Sequence, residues 1–272
     1  LMNQKTIYIT GAASGIGQEI ARRYAKNGAN LALFDLNFDE QAKSLIEDLR
    51  HNSSQGIAYY EADVTDLDGL LKVVSEAACH VGLPTIALHC AGINRTGLFE
   101  AVPAKEFETV VTVNLFGSRN FAQATIPLLK KNKVPSKLAL VASMAGLVGT
   151  YAYTSYNASK FGVVGLAQAL RTELAPEGVA VQVICPPEVD TPMVHEEHKT
   201  IHPVTLKLKL TAGALTLEHA IDDIMKGLES KRFYIIPGKL ARMTYWMNRL
   251  IPVKLVNFYI DSIVRNVLKQ QK

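Results

Sequence analysis

Apolar and polar positions along the chain alternate between two rhythms. Short runs rich in β-branched and aromatic residues recur at 6–10, 31–35, 57–61, 86–89, 138–142, 179–184 and 233–236. Between them lie stretches with apolar residues three and four apart, such as 16–26 and 67–78, the period of a helix with one buried face. Strands that alternate with helices predict βαβ units and a parallel sheet. The strand runs are mostly apolar rather than alternating, as expected when helices cover both faces. Right-handed crossovers then favour a doubly wound α/β sheet over residues 1–238. No low-complexity segment, Gly/Ser linker or solenoid period interrupts the pattern.

Residues 239–272 have a different pattern. Leu240, Met243, Met247 and Leu250 share one helical stripe with Trp246 beside it. After Ile251-Pro252 a second stripe uses Val256, Tyr259, Ile260, Ile263, Val264 and Val267. The segment carries seven basic residues (Lys239, Arg242, Arg249, Lys254, Arg265, Lys269, Lys272) against Asp261, a net +6. The whole chain is +4, so the first 238 residues are at −2. That slightly acidic domain lacks the basic footprint of a nucleic-acid binder. A basic amphipathic extension with Trp can lie on an anionic membrane surface. Its apolar face can equally pack on a partner subunit or roof a substrate pocket.

Composition narrows the class further. With 48% hydrophobic and 20% charged residues the chain is neither disordered nor fibrous. Its three cysteines, Cys79, Cys90 and Cys185, are odd in number and far apart, which argues against a disulfide framework and for a reducing compartment. No Cys/His cluster has metal-ligand spacing, so no metal site is expected. A strand-like run by Ile7 leaves no room for a signal peptide, and the expected location is cytoplasmic, with peripheral contact at the membrane face. Residues 138–159 carry no Asp, Glu, Lys or Arg, a length that could span a bilayer at about 20 residues. Ser143, Thr150, Thr154, Ser155, Asn157 and Ser159 within it favour a buried strand followed by a polar loop.

Candidate chemistry begins at the first strand, which runs into Thr10-Gly11-Ala12-Ala13-Ser14-Gly15-Ile16-Gly17 and then a helical pattern. Glycines there permit a tight turn and close backbone approach, and the helix N-terminus offers free N–H groups to a pyrophosphate. Asp35 ends the second strand, where a carboxylate accepts hydrogen bonds from ribose hydroxyls and repels a 2′-phosphate. No Lys or Arg lies in 11–17 or just after Asp35, so NAD is favoured over NADP. Asp63-Val64, after the third strand, suits the adenine edge.

Tyr156-Asn157-Ala158-Ser159-Lys160 places a lysine one helical turn from a tyrosine. An ammonium nearby is expected to lower the phenol pKa from about 10, so that Tyr156 can exchange a proton with a carbinol oxygen. Ser143 ends the fifth strand, at the sheet edge where such folds bind ligands. Asn114 is a polar residue in an apolar helical stretch, and a buried Asn needs partners.

Taken together, TGxxxGIG, Asp35, Asp63-Val64, the Ala91-Gly92 turn, Asn114, Ser143 and YxxxK resemble the short-chain dehydrogenase/reductase superfamily in order and spacing over residues 5–238. The resemblance implies a seven-stranded parallel Rossmann sheet, nicotinamide-dependent oxidoreduction of a ketone or secondary alcohol, and a homo-dimer or homo-tetramer. It implies that Tyr156 is the acid/base, that Lys160 holds the nicotinamide ribose, that Ser143 orients substrate and that Asn114 anchors a proton-relay water. It carries cofactor contact to Gly11, Ser14, Gly15, Ile16 and Gly17 in the turn, and to Asp35, Asp63 and Val64 at the adenosine end. Ala91, Gly92, Tyr156, Lys160, Pro186, Val189 and Thr191 complete that set. Two departures stand out. The usual Asn-Asn-Ala-Gly is here His89-Cys90-Ala91-Gly92, and the usual Pro-Gly is Pro186-Pro187, which stiffens the backbone. His89 is expected to be structural, and Cys90 and Cys185 to be buried small hydrophobes.

Pro-Pro-Glu-Val-Asp-Thr-Pro at 186–192, Glu-Glu-His-Lys-Thr at 196–200 and Phe-Tyr-Ile-Asp-Ser-Ile-Val-Arg at 258–265 resemble segments of 3-ketodihydrosphingosine reductases. That family reduces a long-chain 3-keto amine at a membrane, typically with NADPH, and Asp35 departs from it. The alternatives are a general ketone, steroid or 3-oxoacyl reductase, or a silent nucleotide-binding module. The intact Asn114, Ser143, Tyr156 and Lys160 argue against the last. Residues 192–215, with His195, His198, His202, Lys199, Lys207, Lys209, Glu196 and Glu197, lie where the resemblance implies a mobile substrate lid; their composition is that of a solvated loop, the alternative being a lid that meets an acidic headgroup.

Overall fold

A computed structural model describes residues 5–270. Its strands are β1 (Thr6–Thr10), β2 (Asn30–Asp35), β3 (Ile57–Glu61), β4 (Ile86–His89), β5 (Ser136–Val141), β6 (Val179–Ile184), β7 (Glu188–Val189), β8 (Ala214–Leu215) and β9 (Tyr234–Ile235). Seven form one parallel sheet in the order β3-β2-β1-β4-β5-β6-β9, so each expected run is a strand of it, with ends shifted by at most two residues. The order reverses beside β1, between β1 and β4, and it is there that such sheets open a ligand crevice. The extra pair β7–β8 is two residues per strand, too short to leave a period in the sequence.

The helices are α1 (Gly15–Lys26), α2 (Glu40–Glu47), α3 (Leu67–His80), α4 (Ala104–Val111), α5 (Gly117–Lys131), α6 (Thr154–Leu174), α7 (Pro192–His198), α8 (Pro203–Ala212), α9 (Leu217–Glu229), α10 (Lys239–Leu250) and α11 (Val253–Gln270). Strand alternation sends Ile7 and Ile9 to one face of the sheet, against Ile20 and Tyr24 of α1, Ile46 of α2 and Ile224 of α9. It sends Tyr8 to the other, against Val74 of α3, Phe121 of α5 and Val163 of α6. Each such large side chain contributes roughly 1.5–3 kcal/mol on burial. Asp39 and Asp66 cap α2 and α3 through Ala42 N at 2.7 Å and Gly69 N at 3.1 Å, which fixes where the chain turns after β2 and β3. α4 passes into α5 through a π-helical turn, Thr112–Phe116.

Residues 138–159 run from β5 through a short turn and loop into α6, as the polar residues in that stretch suggested. The basic extension forms α10 and α11. α10 sinks Ala241 and Tyr245 into the core on the α5/α6 side, and Arg242 Nη1 meets Asp223 Oδ2 of α9 at 3.1 Å. Lys272, the last of the seven basic residues, lies outside the described residues. Among the described residues no helix is long and apolar enough to cross a membrane.

Candidate active site

Two cavities meet at the carboxyl edge of the sheet. The first, about 370 Å³, is lined by Gly11, Ser14, Gly15, Ile16 and Gly17 of the turn, by Asp35, Asp63 and Val64, by Ala91 and Gly92, and by Pro186, Val189 and Thr191, with Ser143, Tyr156 and Lys160 at one end. All fifteen residues expected around a cofactor therefore share one wall. Gly11 sits at φ +65, and a Cβ there would come within 2.7 Å of Ala91 N. A Cβ on Gly17 would collide with the Gly11 carbonyl oxygen. The turn is thus packed backbone on backbone, which leaves the α1 N-terminus open to a phosphate. Asp35 accepts from Ala13 N at 2.9 Å and Leu36 N at 2.8 Å, so the carboxylate also ties the turn to β2. Asp63 accepts from Thr65, and Asn120 Nδ2 donates to Val64 O at 2.9 Å. Across the cavity, Thr191 Cγ2 stands 3.6 Å from where a Gly15 Cβ would lie. The cradle, the helix end and the ribose-height carboxylate fit a dinucleotide.

The catalytic set closes the other end. Tyr156 and Lys160 lie on α6, and Lys160 Nζ is 5.6 Å from the Tyr156 ring centre and donates to Val141 O at 3.0 Å. Ser143 stands two residues beyond β5; its Oγ accepts from Ala145 N at 3.1 Å, and it lines the same two cavities as Tyr156. Asn157 locks that loop to α6 through Ala145 O at 2.6 Å and Val148 O at 3.1 Å. Asn114 is fully buried in the π-helical turn. Its Oδ1 accepts from Ile93 N at 2.8 Å, and its Nδ2 donates to Ile93 O and Ser159 Oγ, both at 2.9 Å. Both amide hydrogens are committed, so the side chain clamps the segment after β4 onto α6.

One electrostatic expectation reverses. Burial pushes the Tyr156 phenol up to about 12, the Ser143 hydrogen bond lowers it and the Glu197 charge raises it again. Burial also pushes Lys160 down to about 8. Desolvation and the Glu197 charge outweigh the Ser143 hydrogen bond, and the phenol is held protonated. His89 behaves as a structural residue. Its Nδ1 lies 2.8 Å from Thr10 Oγ1, which accepts from Cys90 N and Ala91 N, and burial drops its pKa to about 3. Cys90 and Cys185 are pushed up to about 12 by burial and stay as thiols.

The second cavity, about 730 Å³, opens from Ser143 and Tyr156 away from the first and is walled by Met144, Val148, Leu208 and Leu210. Leu240, Met243 and Met247 of α10 and Val256, Tyr259 and Ile260 of α11 complete it. Both stripes of the basic extension thus face this pocket in part, the roofing role left open by their pattern. Outside the rim, Leu250 is 75% and Phe258 68% exposed. Residues 192–215 are not a solvated loop. They form α7, α8 and β8, and they bury Glu197 and Lys209 beside Glu188, Tyr153 and Asn94 in the cavity wall. Glu197 lies one helical turn past Met193, which also lines the cavity. That spacing was the available sign, whereas the pairing with Lys209 spans two helices.

The short chain dehydrogenase family model matches residues 5–202. The chain is 34% identical over 223 residues to mouse (Mus musculus) 3-ketodihydrosphingosine reductase, an alignment covering 81% of this chain and 67% of the relative. It is 33% identical over 295 residues to a 3-dehydrosphinganine reductase of Danio rerio, covering 100% and 89%. A short chain dehydrogenase from Burkholderia cenocepacia J2315, solved in complex with NADP, superimposes with a TM-score of 0.75 at 22% identity, covering 93% of this chain and 95% of that one.

Proposed function

The chain belongs to the short chain dehydrogenase family and is a nicotinamide-dependent oxidoreductase, and from that premise we propose that it reduces a long-chain 3-keto amine of the 3-ketodihydrosphingosine type. The observation that carries this reading is the large apolar cavity that ends on Ser143 and Tyr156. A pocket of that kind holds a hydrocarbon chain while a few polar groups fix its head. When bound, the nicotinamide supplies the hydride that reaches the carbonyl carbon. Tyr156, kept protonated by burial, gives its proton to the carbonyl oxygen, and the product is the secondary alcohol. Ser143 donates into the same position and orients the oxygen. Lys160 stands beneath the phenol ring, where its ammonium stabilises the phenolate left behind. Asn114 holds Ile93 and Ser159 in place around them.

Asp35 supports NADH as the preferred reductant, since its carboxylate would face a 2′-phosphate. The exposed apolar residues Trp246, Leu250, Val253 and Phe258, with Arg249 and Lys254 nearby in sequence, support a membrane surface as the place where the pocket mouth docks.

The test is reduced-nicotinamide consumption with 3-ketodihydrosphingosine in detergent, run in parallel with NADH and NADPH. Turnover that is faster with NADH is expected, and Asp35→Ala should shift the NADPH-to-NADH ratio by roughly tenfold or more. Turnover with NADPH alone would keep the lipid and remove the Asp35 argument. No turnover with either, in protein that binds a reduced nicotinamide, would remove the long-chain substrate.

A further inference from the structure

The substrate cavity contains a charged cluster that carbonyl reduction does not itself require. Resting on the long-chain ketone reading above, we propose that Glu197 and Asn94, backed by Glu188, form a subsite for a protonated amine carried beside the reacting carbonyl. Lys209 Nζ lies 2.6 Å from Glu188 Oε2 and 2.8 Å from Glu197 Oε1, and the three side chains are only 12%, 7% and 5% exposed. Two carboxylates sharing one ammonium leave a negative charge withdrawn from water, which is unfavourable until a second cation joins it. His198 Nε2 lies 3.2 Å from Glu188 Oε2; both carboxylates line the cavity, and Glu197 is the one whose only basic partner among the described residues is Lys209.

A separate observation points to a donor at the same place. The Tyr153 hydroxyl donates to Glu197 Oε1 and accepts from Asn94 Nδ2 at 3.2 Å. That chain of donors fixes the Asn94 amide with its Oδ1 as the free acceptor. Asn94 Oδ1 is buried and has no hydrogen-bond partner among the described residues, an arrangement that proteins avoid unless something else fills it. An ammonium group carries the charge that Glu197 lacks and the N–H that Asn94 Oδ1 lacks. The Tyr153 and Tyr156 rings stand edge to face with centres 5.5 Å apart, and the Glu197 charge acts on Tyr156 itself. A cation held there therefore lies close to the carbonyl that Tyr156 protonates. The same carboxylates would repel a substrate bearing an acid group in that position, which makes the cluster a selector as well as an anchor.

The experiment compares kcat/KM for a long-chain 2-amino-3-ketone with that for the ketone of equal length lacking the amine, in the full chain and in Glu197→Gln. The unaltered protein should prefer the amine by roughly tenfold or more, and Glu197→Gln should bring the ratio close to one, mainly through KM. A ratio near one in the unaltered protein, or a preference that survives in folded Glu197→Gln, would overturn the subsite and leave the ketone reading intact. Turnover of neither ketone would overturn the long-chain reading, and the subsite with it. Thermal unfolding and NADH fluorescence report whether the variant is folded. Should it not be, Asn94→Leu, which removes the free acceptor, is expected to lower the ratio in the same direction.

Discussion

The two cavities share Ser143 and Tyr156 but are built on different principles. The cofactor cavity is walled by turns at strand ends, with backbone packed on backbone at Gly11, Gly17 and Ala91. The substrate cavity is walled by side chains from α8, α10 and α11, elements joined through packing rather than through a motif. The first tolerates almost no change of shape, because a single methyl group meets main chain. The second is set by residues that can be exchanged for others of similar volume. Within one site, then, the chemistry is fixed and the choice of substrate is adjustable.

The largest effect should come where the cavities touch. Tyr156→Phe removes the proton donor, and turnover should fall by about 10²–10⁴-fold while NADH binding remains measurable by fluorescence. Full residual activity would take Tyr156 out of the chemistry and dissolve the shared edge on which the comparison rests.

An intermediate effect should be confined to the substrate side. Met247→Asp places a carboxylate on the apolar wall. A long hydrocarbon chain would then lie against a charge, so kcat/KM for an eighteen-carbon ketone should fall roughly tenfold or more further than for a short one. Parallel losses for both lengths would show that α10 props the pocket without touching the chain.

The smallest effect on turnover belongs to the cofactor side, where the change shows in stability instead. His89 has a native pKa of about 3 against an ordinary 6.5. Between those values the unfolded chain binds a proton that the native state refuses. The contribution is complete above pH 6.5 and is lost as the pH falls towards 3, at up to about 1.4 kcal/mol per pH unit. Replacing it in His89→Asn should flatten the fall of the urea midpoint between pH 7 and 4. Equal slopes would mean that His89 titrates freely in the native state.

What the sequence disclosed follows the same division. The glycine turn, Asp35, Ser143, Tyr156 and Lys160 owe their positions to strand ends and to one helical turn, so local spacing was enough to bring them together. The seven-stranded sheet was legible for the same reason, each strand being a separate apolar run. The Glu188–Lys209–Glu197 cluster was not, because its members come from β7, α8 and α7 and only packing brings them within reach. A run rich in His, Lys and Glu has the composition of a solvated loop, and nothing in its order says that one carboxylate turns inward. The phenol pKa failed in the opposite way. The lysine one turn away was legible in the spacing, but the depth of burial, which decides the sign, depends on the whole fold.

The π-helical turn at Thr112–Phe116 has a consequence for how this chain can vary. Without its extra residue, α4 and α5 would run on as one regular helix. Every side chain beyond the deletion would rotate by about 100° about the axis, and Asn114 would release Ile93. A single deletion there improves the helix and dismantles the clamp, so the irregularity is a place where selection for a tidy backbone and selection for turnover pull in opposite directions. Insertions and deletions should therefore be sparse along this stretch in any lineage that keeps the activity, however freely the surface around it changes.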